Sequence, residues 1–151
     1  MRELRKLIDN ITEFGINPNV KLIDKTDVLK KLLVGIYLEF LNVEYEFDEA
    51  DYDDEPDFDY KEIRQNVKSN FPDFDWYSIV LDSNKMEPNI ETGCGDELDD
   101  LTDIIGDLLA VKWRMENTSE NDALWHFEFS MRTHSEQHLL DLLKRLKERN
   151  E

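Results

Sequence analysis

The sequence predicts an all-α fold, a single-domain bundle of about five to six helices over residues 1–151. Three observations predict it. Apolar residues recur at i, i+3, i+4 and i+7 along most of the chain, the spacing of one helix face. No stretch sustains the apolar/polar alternation of a half-buried strand, and no internal repeat is present. Only five Gly and four Pro occur, too little turn chemistry for a β-sandwich, while 40% hydrophobic and 11% aromatic residues supply a core.

The elements follow in order. Residues 2–14 put Leu4, Leu7, Ile8, Ile11 and Phe14 on one helical face, and "GINPN" ends the run. "TDVLKKLLVGIYLEFLNV" (26–43) has Thr26 as its N-cap candidate and is apolar almost all round, the pattern of a central helix surrounded by others. Residues 44–59 carry ten acids and no base among Tyr and Phe, and are expected to form an exposed acidic loop. "YKEIRQNVKSNF" (60–71) reads as a short helix and "DWYSIVLDS" (75–83) as another. "NKMEPNIETGCG" reads as a loop whose "GCG" turns the chain into the next helix, 95–115, with Leu98, Leu101, Ile105 and Leu108 on one face. A last helix is expected from about Asp122 to Lys147, with Ser119 or Asn121 as cap.

Thirty-six acids against eighteen bases give a formal charge of −18. Such a surface repels phosphate backbones and anionic lipid, so direct nucleic-acid and membrane binding are disfavoured; it suits a basic protein partner or mimicry of nucleic acid, and most simply confers solubility. One cysteine, Cys94, forms no internal disulfide, and no apolar run reaches the ~20 residues of a membrane span. A cytoplasmic protein is expected. No P-loop, dinucleotide fingerprint or other cofactor motif is present, and no catalytic residue is assigned.

Three clusters carry candidate chemistry. Asp51, Asp53, Glu55, Asp59 and Glu62 fall at calcium-loop positions, but Pro56 stands where such a loop needs Gly, so calcium is not expected. Asp96, Asp100, Asp103 and Asp107 form a carboxylate stripe opposite the leucine face, which reads as the wet side of its helix. "HFEFSMRTHSEQH" (126–138) holds all three histidines. On a continuous α-helix His126 and His138 lie about 18 Å apart, so the three cannot share one ion.

His134 and His138, at i and i+4, can share one, with Asp100 and Asp103 at matching heights on the preceding antiparallel helix. The stretch lacks the Glu-x-x-His of di-iron bundles: Met131 and Ser135 stand three residues before these histidines. Glu128 projects from the apolar face of the last helix. Burial there demands a partner, Arg132 one turn on, or Lys31 or Arg114 from a facing helix. The candidate polar cluster is therefore Glu128, Arg132, His134 and His138. The functional expectation is a non-enzymatic interaction or accessory module. The alternative is a small metal-dependent hydrolase of phosphate esters using Asp100, Asp103, His134 and His138.

The segments "LLVGIYLEFL", "DYKEIRQNV", "DELDDLTDIIGDLL" and "WHFEFSMRTHSEQHLLDLLKRL", in that order, resemble a family of small bacterial proteins known as domain of unknown function 5063. The resemblance implies an all-helical bacterial protein and supplies no activity or ligand. That family's closing helix usually has a Trp-Gly pair at or beside the positions held here by His134 and Ser135, a departure in this chain.

Overall fold

In the computed structural model, which describes residues 1–149, the chain runs α1 (Arg2–Ile16), α2 (Lys25–Leu41), α3 (Tyr60–Asn70), β1 (Trp76–Val80), β2 (Thr92–Asp96), α4 (Glu97–Asn117), α5 (Glu120–Ser130), a π-helical turn (Met131–Ser135) and α6 (Glu136–Glu148). The fold is mainly helical and carries one two-stranded antiparallel sheet, so the all-α expectation is corrected. No helix among the described residues is long and apolar enough to cross a membrane.

The central helix is α4, not α2. It packs against α1, α3, α5 and α6 and buries Leu101, Ile104, Ile105, Leu108 and Val111. Its main companions in the core are Ile8, Ile11 and Phe14 of α1, Ile63 and Val67 of α3, and Phe127, Leu139 and Leu142 of the closing helices. α2 lies at the edge, mainly against α1 and α6. It buries Leu29, Leu33 and Ile36 but leaves Val34, Leu38 and Leu41 exposed at 56%, 58% and 62%. Apolar content alone misplaces these two helices. A helix rich in acids can occupy the centre when its polar groups find partners, as Asp100, Asp107 and the Arg114 Nη1 group of α4 do.

The hairpin corrects the helix expected at 75–83. Trp76, Ser78 and Val80 face outward while Tyr77 and Ile79 face inward, a period of two in aromatic and β-branched residues. Five residues are too few to separate that pattern from one helical turn by eye. Tyr77 pairs across the sheet with Gly95, and a Cβ on Gly95 would run into the Tyr77 ring. "GCG" is thus a strand that makes room for an aromatic ring, and Asp96 caps α4 by accepting from the Leu98 amide at 3.0 Å.

Other boundaries move by a few residues. α2 starts at Lys25 behind Asp24, whose φ is 53°, so Thr26 is inside the helix rather than its cap. Ser119 caps α5, accepting from the Asp122 amide at 3.1 Å. The irregular segment 43–59 is tied to α4 and α5. The Tyr45 hydroxyl donates to Glu128 at 2.7 Å, the Glu46 amide to Asn121 at 3.2 Å, Ser119 to Asp48 and Arg114 to Glu55. Asp51, Asp53 and Asp54 stay exposed. Glu55, turned to Arg114, is not available to a calcium loop.

Candidate functional site

The last helices are one rod with a widened turn. Ala123, Phe127, Met131, Ser135 and Leu139 are all buried, a strict spacing of four. In a regular α-helix each such step overshoots one turn by about 40°, so a stripe of this length would wind away from the core. The π turn at Met131–Ser135 absorbs the excess and keeps the stripe against α4. It also decides where the histidines point.

From Asp100 to Asp107 the carboxylate stripe of α4 faces α6 and the π turn rather than water, while Asp96 accepts from Arg64 of α3 at 3.0 Å. Asp100 is 6% exposed, and Asp103 and Asp107 are half-buried. His138 Nδ1 lies 2.8 Å from Asp100 Oδ1, and its Nε2 is 3.5 Å from Asp103 Oδ2. His134 Nδ1 lies 2.8 Å from Asp107 Oδ2, which also accepts from the Ser135 hydroxyl at 2.6 Å. The two imidazole centroids are 4.9 Å apart, edge to face. A carboxylate accepts, so each Nδ1 donates in these two bonds, and the Nε2 of His138 is turned to Asp103. Asp103, His134 and His138 each offer one ligand atom within 4.8 Å of the others. The structure thus brings Asp100, Asp103, His134 and His138 together and adds Asp107, a member of the same stripe for which the sequence suggests no partner.

Charge and burial shift both His138 and Asp103 upward. The hydrogen bond that His138 donates to Asp100 raises the His138 pKa above its ordinary value against the opposing effect of burial, with the Asp100, Asp103 and Asp99 charges adding to the rise. Burial raises the Asp103 carboxyl, opposed by His138 and His134 and reinforced by the Asp99 and Asp107 charges. Behind Asp100 stands the Tyr77 hydroxyl, which donates to its second oxygen. Burial, then that bond, pushes the phenol pKa up. Tyr77 reaches Asp100 only because Gly95 lets its ring lie flat.

Beside His138 the hairpin and the α4–α6 seam enclose a cleft of about 380 Å³, lined by Tyr77, Asp96, Asp99, Asp100, His138 and Asp141 with Arg64, Trp76 and Cys94 at its walls. Cys94 is a free, exposed thiol. Four carboxylates against one guanidinium make the cleft a poor receptor for a phosphate group.

The remaining cluster members lie elsewhere. Glu128 bonds the Arg132 guanidinium, Nε at 3.2 Å, as well as Tyr45. Those two bonds, Tyr45 first, hold its carboxyl below the usual range. Arg132 is exposed and its guanidinium sits 6.0 Å from the Phe40 ring. The pair is a tie between the loop start and α5, apart from the histidine seam. Lys31 and Arg114 take other partners, Asp27 at 2.8 Å and Asp122 at 3.2 Å. His126 stacks edge-on against Trp125 and lies 3.7 Å from Asp122, remote in the chain from the other two histidines.

No curated protein matches the sequence. The crystal structure of protein BF1032 from Bacteroides fragilis is similar, with a TM-score of 0.73 at 19% identity, over 97% of this chain and 89% of that one. At that identity the likeness is one of fold. The family model described as "Domain of unknown function (DUF5063)" matches residues 31–149, from α2 through α6 and including the whole histidine seam, and the chain belongs to that family.

Proposed function

We propose that this protein is a non-enzymatic accessory module that docks onto a basic protein partner in the cytoplasm, through the open face of α2 and the acidic tract that follows it. The observation that carries this reading is the stripe Val34, Leu38 and Leu41, at i, i+4 and i+7 on α2, more than half exposed with no helix against it among the described residues. An uncovered apolar row on a rigid helix is what a partner helix or ridge buries. The stripe runs into residues 44–59 with ten acids and no base, and Phe47 there is 73% exposed. A partner with an apolar ridge flanked by Lys and Arg complements both features, and the net charge steers it in. The phosphate-ester hydrolase reading is weaker, because the cleft beside His138 presents four carboxylates against one guanidinium.

The test is affinity capture with three versions of the chain at low and at 0.5 M salt. Wild type is expected to retain a basic protein at low salt and release it at high salt. Leu38→Glu with Leu41→Glu, both at the surface, should abolish capture without unfolding the bundle, and an amide-substituted loop should weaken it. Capture of nothing, or equal capture by all three versions, sinks the reading. Self-association of the wild type that those substitutions abolish would assign the face to a second copy instead.

A further inference from the structure

Independently of docking, we propose that Asp103, His134 and His138 form a mononuclear site for a borderline divalent metal ion of the zinc type, with Asp100 and Asp107 as the outer carboxylates that aim the two imidazoles. The geometry resembles a ligated centre more than a helix clasp. Metal-binding histidines commonly donate the ring N–H that is not ligated to a carboxylate, which fixes the tautomer and orients the ring. Here both histidines do so, His134 to Asp107 and His138 to Asp100, each at 2.8 Å. Both outer carboxylates are themselves held, Asp107 by Ser135 at 2.6 Å and Asp100 by Tyr77. Each Nε2 is the ring nitrogen that the outer carboxylate does not engage, and that of His138 faces Asp103.

A clasp between α4 and α6 requires one carboxylate per imidazole. Asp103 is surplus to that need, yet it lies on the Nε2 side, 3.5 Å from His138 Nε2. The three ligand atoms lie within 4.8 Å of one another. Ligand distances of about 2.0–2.2 Å to zinc put neighbouring donors some 3.4 Å apart, a contraction that side-chain rotation supplies. His134, with 48% of its side chain exposed, is free to make that adjustment.

The donor set selects the metal class. Two imidazoles and one carboxylate suit zinc, iron or cobalt, whereas calcium and magnesium prefer oxygen throughout. A dication also offsets the like charges of Asp99, Asp100, Asp103 and Asp107, which α4 otherwise crowds along one side. Three protein ligands leave a coordination position for water on the open flank of His134. The π turn that aims the imidazoles is itself a feature enriched at functional sites.

The experiment is titration of the chelator-stripped full chain with Zn²⁺ by calorimetry, and with Co²⁺ by visible spectroscopy. Expected are one equivalent of Zn²⁺ bound with sub-micromolar affinity, unaffected by millimolar Ca²⁺ or Mg²⁺, and the intense d–d bands of four-coordinate Co²⁺. Asp103→Asn and His134→Asn, at half-buried and exposed positions, should each weaken binding at least 100-fold while the circular dichroism stays that of wild type. Asp107→Asn, which touches only the outer layer, should cost about 10–100-fold and keep the one-to-one ratio. Nitrogen-detected imidazole spectra should show Nδ1–H retained and Nε2 ligated. The proposal is overturned by weak multi-equivalent binding that Ca²⁺ displaces. Affinity unchanged in both ligand variants, or Nδ1 ligation, would overturn it equally.

Discussion

At the scale of single residues, a charge inside a helical bundle must be offset by its neighbours, and Glu97 shows how. It is fully buried, accepts from the Asp75 amide at 2.8 Å, and has Arg149 Nε at 3.2 Å and Arg145 Nε at 3.5 Å from its other oxygen. Burial raises its pKa, and the Asp75 amide and two guanidiniums recover only part of that. A raised carboxyl pKa means the native state favours the neutral form, so the stability this group lends grows as pH falls through its folded value. Glu97→Ala, which empties the position and strands the Asp75 amide, is expected to cost roughly 3 kcal/mol in urea denaturation. Glu97→Gln keeps the acceptor for Asp75 and should cost clearly less; equal losses would mean that the charge itself is what counts. None of this is legible in the sequence, where Glu97 reads as an ordinary first-turn acid at a solvated N-terminus. The hairpin that precedes it comes from residues read as a helix and a loop. The i, i+4 relation of Glu128 and Arg132 is local and can be read directly. The relation of Asp100, Asp103, His134 and His138 is only half legible: height along antiparallel helices follows from counting, but facing depends on the π turn.

At the scale of elements, that turn leaves a trace in the sequence after all. Buried positions at 123, 127, 131, 135 and 139 are separated by four residues each, where an α-helical face mixes threes and fours. The signal is hidden because Ser135, the member that breaks the apolar run, is polar and finds its partner in Asp107. The edge position of α2 is hidden for a different reason: periodicity records which faces are apolar, and tertiary packing decides which of them are covered. Helix packing also assigns opposite roles to two glycines. A Cβ on Gly15 would come within 2.6 Å of Ile105 Cγ2 and 3.0 Å of Ile63 Cγ2, whereas nothing lies within 4 Å of one on Gly106. Both methyl groups on the receiving side branch close to a backbone, so they yield little. Gly15→Ala should therefore destabilise by about 1–3 kcal/mol through overpacking where α1 meets α3 and α4. Gly106→Ala should stabilise by about 0.5–1 kcal/mol through helix propensity alone. Chemical denaturation of the two variants tests the contrast, and two shifts of the same sign would contradict the packing described for α1.

At the scale of the whole molecule, excess charge and ion pairing respond to salt in opposite directions, and the magnitudes decide which prevails. Thirty-six acids face eighteen bases, so at least eighteen carboxylates lack a cationic partner of their own. Many of the pairs that do form are solvent-accessible, as with Lys85–Glu91 at 41% and 60% side-chain exposure, and such pairs contribute little. Repulsion among the surplus acids therefore outweighs the attraction within pairs, and screening it should raise the thermal midpoint by several degrees between 0.02 and 0.5 M sodium chloride. Acid divides the molecule differently. The carboxyl of Asp48, held low by Ser119 and then by the Ala50 amide and Tyr52, and that of Glu128, held low by Tyr45 and then Arg132, pin the loop to α5. Their contribution is complete above the ordinary carboxylate range and fades as pH falls through their lowered folded values. Hydrogen exchange should accordingly find segment 43–59 opening at a pH where α4 is still protected. A midpoint that falls with added salt would show ion pairs to dominate. The proposed docking onto a basic partner should weaken under the same salt that steadies the fold, so opposite slopes separate loss of the interface from loss of the structure.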